Sequence, residues 1–202
     1  MHGVGCQVVD GVWSALGPPP RLHSAAKSVE PWAGSGRALG SVAAYEQCSV
    51  ADSFGVLTLP GFELLFEASW LFREPLPLMR IPLPAGWARL RTAGELAGWT
   101  AHLDTTGVLL PGLLSRPGFT VLGLWAEGQL EAGAVLHACA GVVALSNVWT
   151  APRRQPDWPE LVQVAHAIHP GLAIVGYERD DALVHARAAG FADVGPQLVW
   201  IR

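Results

Sequence analysis

The sequence predicts an α+β fold built on a mixed β-sheet, and three observations lead to this prediction. Three apolar segments follow one another between residues 120 and 150 and are separated only by short glycine-containing turns, which is typical of an antiparallel meander. Two helical segments with recognisable caps then alternate with short apolar segments. Because a helix usually connects two parallel strands, we expect the meander to be followed by a βαβ-type crossover.

Composition and charge exclude several classes of protein. The 202 residues are half apolar and 15% charged, with a mean hydropathy of +0.31, which excludes a disordered or low-complexity chain. The net charge of −4 is shared equally by residues 1–87 and 88–202. Neither half is basic, so we expect neither nucleic acid nor a membrane surface as a partner.

The cysteines and the N-terminus favour a cytoplasmic protein. Cys6, Cys48 and Cys139 are odd in number and widely spaced, which fits neither a disulfide framework nor a zinc site. Residues 1–10 do not have the pattern of a signal peptide. The longest uncharged segment, Ala132–Pro152, is interrupted by a glycine turn and therefore predicts two buried strands rather than a membrane helix.

The first part of the chain, residues 1–87, is expected to be an N-terminal extension. Its first forty residues show little periodicity and predict irregular structure. Apolar and polar residues alternate through Phe62–Ala68, which predicts a strand with one buried face. The proline-rich run Pro75–Pro84 marks the predicted boundary. The extension could belong to the same sheet as the second domain, residues 88–202.

The segment after Trp87 gives the clearest signals for individual elements. Thr92 and Glu95 have the spacing of a capping box. Asp157 precedes an amphipathic helix, and Asp180 or Asp181 precedes another. In order, the predicted elements are a helix after Thr92, a short helix near Pro111, strands at Thr120–Ala126, Leu130–Ala138 and Val142–Thr150, a helix after Asp157, a strand at Leu172–Tyr177, a helix through Ala189 and a strand at Val194–Ile201.

This order of elements resembles the GCN5-related N-acetyltransferase (GNAT) superfamily. The last helix of that family carries an Asn-x-x-Ala pattern and ends in Gly-Phe, and Ala182, Gly190 and Phe191 occur here at matching spacing. The resemblance covers residues 88–202. It implies a GNAT-like mixed sheet flanked by helices, in which the two neighbouring parallel strands at Val142 and Leu172 splay apart.

The resemblance also implies a reaction and a cofactor. GNAT proteins transfer an acyl group from acyl-CoA, with acetyl-CoA the expected donor here, to an amine that attacks it directly. The pantetheine arm would lie between the splayed strands and the pyrophosphate at the start of the next helix. The acceptor would be a small-molecule or peptide amine, and a homodimer is possible. By this resemblance the cofactor-binding residues are Val148, Trp149, Thr150, Arg153, Arg154 and Gln155.

The sequence departs from the family's pattern in the phosphate-binding loop. Gln155 occupies the first position of the family's Gln/Arg-x-x-Gly-x-Gly/Ala pattern, but Pro156, Asp157, Pro159 and Glu160 follow in place of glycines. The prolines lack an amide donor, and the acids bring negative charge to a pyrophosphate site. The two preceding arginines could substitute for those amides. A catalytically inactive GNAT-fold binding or interaction module is therefore the alternative function.

Three polar residues near the ends of the splayed strands are the candidates for the chemistry. Asn147 is the predicted substrate-binding residue, since open sheets bind ligands at the carboxyl ends of their strands. Tyr177 could protonate a leaving thiolate, and Glu178 could relay a proton through water. In the alternative interpretation, Tyr177 only packs and Glu178 is solvated. The tyrosine that the family places on its last helix is replaced here by Ala186.

Other residue groups favour structural roles. His166 and His169 lack a third ligand, so they predict a pair favoured by the helix C-terminus, and no metal site is expected. His137 and Cys139 share a strand face and are expected to pack in the core. The segment Gly34–Gly36 lacks the preceding strand of a nucleotide loop and predicts a flexible turn.

Overall fold

The computed structural model describes residues 2–77, 81–152 and 154–202. These residues form two compact units. Unit 1 contains the residues up to Trp70 together with Val194–Arg202, and unit 2 contains Leu71–Asp193. Unit 1 therefore combines the two ends of the chain, whereas the proline-rich run of the predicted boundary falls in unit 2.

The described residues contain eleven strands, four α-helices and a 3-10 helix. In chain order they are β1 (Cys6–Val9), β2 (Val12–Ala15), β3 (Ala26–Ser28), α1 (Ser35–Val42), β4 (Ser49–Asp52), β5 (Glu63–Arg73), β6 (Trp87–Arg89), α2 (Ala93–Ala101), the 3-10 helix (Pro111–Ser115), β7 (Phe119–Ala126), β8 (Gln129–Cys139), β9 (Val142–Thr150), α3 (Trp158–Ile168), β10 (Ala173–Glu178), α4 (Asp180–Ala188) and β11 (Ala192–Ile201).

Unit 1 contains a mixed sheet with the strand order β1-β2-β3-β4-β11-β5. β1 and β2 form a hairpin whose two turn residues, Asp10 and Gly11, both have positive φ (50° and 73°), as a type I′ turn requires. The prediction of irregular structure for the first forty residues was therefore wrong. The Asp-Gly pair is a strong sequence signal for a hairpin and could have indicated it. The expected flexible turn at Gly34–Gly36 was also wrong, because α1 begins at Ser35.

The elements after Trp87 have the predicted order, and all except the last strand, β11, lie in unit 2. Its sheet runs β10-β9-β8-β7-β6, with β6 to β9 antiparallel and β10 parallel to β9 through the α3 crossover. The capping box at Thr92 is present, and the short helix near Pro111 is a 3-10 helix. Ala132–Pro152 contains most of β8 and all of β9, as predicted. Among the described residues, no helix has the length and apolar character needed to span a membrane.

Unit 2 contains two apolar clusters, one on each face of its sheet. Successive residues of the meander strands belong alternately to one cluster and to the other. Leu122 and Leu136 belong to a cluster with residues of α3 and α4, whereas their neighbours Val121 and Val135 pack with residues of α2. This alternation is the period of two expected for strands buried on both faces. The sheet thereby becomes a covered layer whose strand ends carry the candidate site.

Candidate functional site

The parallel strands β9 and β10 pair only at their beginnings. Their register joins Ala173 to Val142 and ends where Val175 faces Ala144. A Cβ atom on the next residue of β10, Gly176, would lie 2.9 Å from the carbonyl oxygen of Leu145, so only glycine fits there without a backbone shift. Both strands continue beyond this point without a shared register, which confirms the predicted splay.

A β-bulge changes the faces to which the side chains of the second half of β9 point. Its register with β8 passes from Gly133 opposite Trp149 to Val135 opposite Ser146, so β9 carries one extra residue, and Asn147 has a φ of 51°. Trp149 consequently joins the α2-side cluster, although Leu145, four residues earlier, belongs to the other one. Asn147, the predicted substrate-binding residue, is exposed and donates from Nδ2 to Ser146 Oγ at 3.1 Å.

The carboxyl end of β10 carries two titratable groups with altered pKa values. Burial raises the pKa of Glu178 to about 7, so that this carboxyl group titrates near neutral pH. The pKa of Tyr177 is also raised, first by burial and then by the nearby Glu178, although its side chain is 44% exposed. Strand alternation places the two side chains on opposite faces. Glu178 therefore fits a general base, while Tyr177 stays protonated at neutral pH.

The predicted cofactor residues of β9 mainly contact other parts of unit 2. Val148 is half-buried and packs against the α3-side core. The Trp149 ring stacks on His102 with a centroid distance of 4.0 Å and meets the edge of Trp99 at 5.9 Å. The hydroxyl of Thr150 donates to the carbonyl oxygen of Arg154 at 2.7 Å, which ties the following loop to the strand end.

The first turn of α3 is already supplied with partners. Asp157 caps the helix, because its carboxylate accepts from the Glu160 amide at 2.9 Å. Pro159 has no amide proton, and the Leu161 amide donates to the Asp157 carbonyl. Arg154 lies 3.5 Å from the Glu160 carboxylate. Of the two remaining predicted cofactor residues, Gln155 has an exposed side chain. Arg153 lies outside the described residues.

A small void lies between the described residues at the end of β9 and the start of α3. The gap bounded by Thr150, Arg154, Asp157 and their neighbours has a volume of about 10 Å³, the lower limit for one water molecule. Trp158, the first residue of α3, is 3% exposed and packs against Phe191 in the core. The described residues therefore do not fit the pyrophosphate of CoA at this position.

Unit 1 contains a larger cavity that the sequence did not predict. Its volume is about 480 Å³, which falls in the range of small-molecule sites. Asp52 is fully buried beside it and accepts hydrogen bonds from the Ser28 hydroxyl at 2.8 Å and from the Leu57 amide at 2.8 Å. The residues that line the cavity are Ser28, Val29, Ser53, Phe54, Trp70, Val194, Gly195 and Pro196.

The histidine and cysteine pairs have structural contacts that the sequence analysis only partly anticipated. His166 is buried, accepts the Leu76 amide at Nε2 (2.7 Å) and donates from Nδ1 to the Val162 carbonyl (2.9 Å). Its role is therefore to anchor a loop. Cys139 is exposed rather than in the core, and its Sγ lies 3.8 Å from His137 Nδ1. Among the described residues, no group of three or more His, Cys, Asp or Glu side chains could hold a metal ion.

Comparison with known structures shows the fold. A GCN5-related N-acetyltransferase from Kribbella flavida is similar with a TM-score of 0.66 and 17% identity, over 98% of this chain and 89% of that one. A functionally unknown conserved protein from Staphylococcus epidermidis has the same TM-score and 10% identity, over 99% and 94% of the two chains. The chain therefore has the GNAT fold, which confirms the resemblance at the level of the fold.

The fold is also similar, with a lower TM-score, to that of an N-myristoyltransferase. The N-myristoyltransferase of Saccharomyces cerevisiae, solved with myristoyl-CoA, has a TM-score of 0.55 and 9% identity over 76% of this chain. This chain spans only 53% of that protein. No protein-family model matches the sequence, and no curated protein matches it either. The likeness in structure thus shows the fold alone.

Proposed function

We propose that the protein is an N-acyltransferase, which moves an acyl group from a thioester to a small-molecule or peptide amine. The observation that carries this proposal is the parting of β9 and β10 beside Glu178, a carboxyl group whose pKa of about 7 suits a general base at neutral pH. The GNAT fold of structures such as the Kribbella flavida acetyltransferase supports it.

The proposed step is a direct acyl transfer. The amine nitrogen attacks the thioester carbonyl carbon, a C–N bond forms, and the C–S bond breaks. Glu178 takes the proton that the amine loses, directly or through one water molecule. The thiolate leaves and takes a proton from water, since a free thiol has a pKa of about 8.5 and its thiolate is a stable leaving group. Tyr177 assists this last proton transfer only weakly, because alternation directs it to the other face of β10.

The test compares Glu178→Gln with wild type in a thiol-release assay. The donor is S-acetyl-pantetheine, and the acceptors are a panel of small amines and peptides with free amino groups. We expect kcat/KM to fall about 100-fold or more in the variant. Wild-type kcat/KM should rise with pH with a midpoint near 7, the pKa of Glu178. Glu67→Gln, at an exposed position of β5, is the matched control. Full activity of Glu178→Gln would contradict the assignment of the base.

A second candidate function is a binding module without catalysis. It is favoured by the open cavity of about 480 Å³ in unit 1, whose walls are mainly apolar. The variant Val194→Trp should fill the mouth of this cavity, and Val184→Trp, at a similarly exposed valine of α4, is its control. Ligand-observed NMR with a library of small aromatic compounds would test the idea. Binding that only Val194→Trp removes supports it, and an absence of binding to wild type rejects it.

A further inference from the structure

The start of α3 is the place where this chain departs from the phosphate-binding pattern that the sequence resemblance implies. An anion at a helix N-terminus needs amide protons without other partners. Of the first three helical residues, Pro159 has no amide proton and the amide of Glu160 donates to Asp157. Only the amide of Trp158 is left among these three, and one amide is a poor cradle for a pyrophosphate.

The local charge has the wrong sign for a phosphate group. Asp157 and Glu160 both lie in or next to the first turn of α3, where they interact favourably with the helix dipole and repel an anion. Arg154 is the described cation beside them, and it lies 3.5 Å from the Glu160 carboxylate. A pyrophosphate would therefore have to break an ion pair and approach two carboxylates.

The space agrees with the charge. The gap at this position has a volume of about 10 Å³, and the hydrogen bond from Thr150 to the Arg154 carbonyl holds the loop across it. Asp157 is fixed in place by its bond to the Glu160 amide. A phosphate group could occupy this void only if the loop and the helix cap were both rearranged.

A second feature of unit 2 is the region between β9 and β10 beyond the end of their shared register, which we call the slot. β9 is paired with β8 up to Thr150, which faces Ala132, but its register with β10 ends at Ala144. The other edge of β9 beyond Leu145, whose carbonyl oxygen still lies close to Gly176, therefore has no register with β10. Such an edge accepts an extended chain that carries amide groups, because the chain can pair with the strand as another strand would.

We propose that the acyl donor is a thioester on a pantetheine-type arm without an adenine nucleotide, carried either as a small molecule or on a carrier protein. The inference rests on the proposed acyl transfer. The arm supplies two amides for the slot, and its phosphate-free or singly phosphorylated end avoids the acidic start of α3. The protein thereby excludes the nucleotide part of acyl-CoA.

The test is a set of calorimetric titrations of the full chain with three probes: S-acetyl-pantetheine, acetyl-CoA and adenosine 3′,5′-bisphosphate. We expect acetyl-CoA to bind no more than about threefold tighter than S-acetyl-pantetheine. We also expect that adenosine 3′,5′-bisphosphate does not compete with acetyl-CoA. Acetyl-CoA binding at least 30-fold tighter, with competition by the bisphosphate, would overturn the inference and leave the proposed function intact. If neither thioester binds, the proposed function fails and this inference fails with it.

A charge variant makes the test sharper. The double variant Asp157→Asn, Glu160→Gln keeps a side chain that can cap α3 and removes both negative charges. Its affinity for acetyl-CoA should increase at least fivefold, while that for S-acetyl-pantetheine should change less than twofold. The control is Glu63→Gln, Glu67→Gln, which removes two exposed charges from β5. Equal increases for both probes would contradict a nucleotide-specific exclusion.

The same assay distinguishes the two sources of the arm. An acetylated phosphopantetheinyl carrier protein is titrated beside free S-acetyl-pantetheine. Binding of the carrier protein at least tenfold tighter would support a protein-borne donor, and equal binding would support a small-molecule thioester. A carrier protein that binds only in its unacylated, unmodified form would contradict the proposal, since no arm would then enter the slot.

Discussion

The two units differ in the volume of the described cavities beside their strands. Unit 1 leaves a cavity of about 480 Å³ next to β4 and β11, whereas unit 2 leaves about 10 Å³ between β9 and α3, where the fold is expected to hold a phosphate. The larger cavity is mainly apolar, and the smaller gap is closed by hydrogen bonds and an ion pair. By volume, the larger cavity of unit 1 would be the candidate ligand site. By the chemistry of the side chains, the candidate reaction site is at the strand ends of unit 2.

In our proposal, this difference means that the chain keeps the parted strands of its fold but lacks one binding subsite, that for the nucleotide phosphates. The parting of β9 and β10 is a property of the backbone, and Gly176 is required at that point. A phosphate site at a helix start depends on a few side chains and amides, and in our proposal Asp157 and Pro159 of α3 disfavour it. The following predictions test both halves of the comparison.

The largest effect is expected for the packing that fills unit 2. A Cβ atom on Gly133 would lie 2.1 Å from Trp99 Nε1 and 2.3 Å from Trp149 Nε1, and both rings are buried. Gly133→Ala should therefore lower the free energy of unfolding by more than about 3 kcal/mol, measured by urea denaturation. Gly98→Ala, in α2 with open space around it, should instead be neutral or stabilising. Equal effects of the two substitutions would contradict the tight packing.

The polar network beside the unit 1 cavity should be the next most sensitive. Asp52 is fully buried and accepts from the Ser28 hydroxyl and the Leu57 amide. Asp52→Ala removes the acceptor of these two donors and of the Phe54 amide, which donates to it at 3.3 Å, and should cost about 2–4 kcal/mol in thermal or chemical unfolding. Glu63→Ala, at an exposed position, should change stability by less than about 0.5 kcal/mol. A loss below 1 kcal/mol for Asp52→Ala would show that the cavity wall is not held by this network.

A pH dependence of stability should follow from Glu178. Its pKa in the folded protein is about 7, above the ordinary value of 4.5, so the folded state favours the protonated form. The resulting stability is complete below pH 4.5 and is lost as the pH rises through 7. Wild type should therefore lose about 1–3 kcal/mol relative to Glu178→Gln between these limits. Parallel stability curves for the two proteins would contradict the raised pKa.

The smallest effect concerns the loop that closes the gap in unit 2. Thr150→Val removes the hydroxyl that donates to the Arg154 carbonyl and keeps the shape of the side chain. The expected loss is about 1 kcal/mol, with faster hydrogen exchange at the amides of Ala151 and Arg154. Thr58→Val, at an exposed position, is the control. If exchange at the two amides is unchanged, the hydrogen bond does not hold the loop.

Sequence patterns predicted unit 2 well because its signals are local. The capping residues Thr92 and Asp157 and the glycine-separated apolar segments each act within a few residues of the chain. Unit 1 was harder to predict, since its short strands depend on pairing with distant ones. Leu198 of β11 faces Asp52 of β4, a partnership that no local pattern reveals. The Asp10-Gly11 hairpin is the exception, because its local signal was present and was overlooked.

The sequence by itself determined the order of elements after Trp87, the parting of the parallel strands by resemblance, and the unusual composition of the segment before α3. These follow from caps, turns and residue types, which act locally. Only the tertiary structure decided that Glu178 titrates near neutral pH and that the gap at α3 is closed. Burial and the meeting of strand ends depend on how distant segments pack, and short-range patterns do not contain that information.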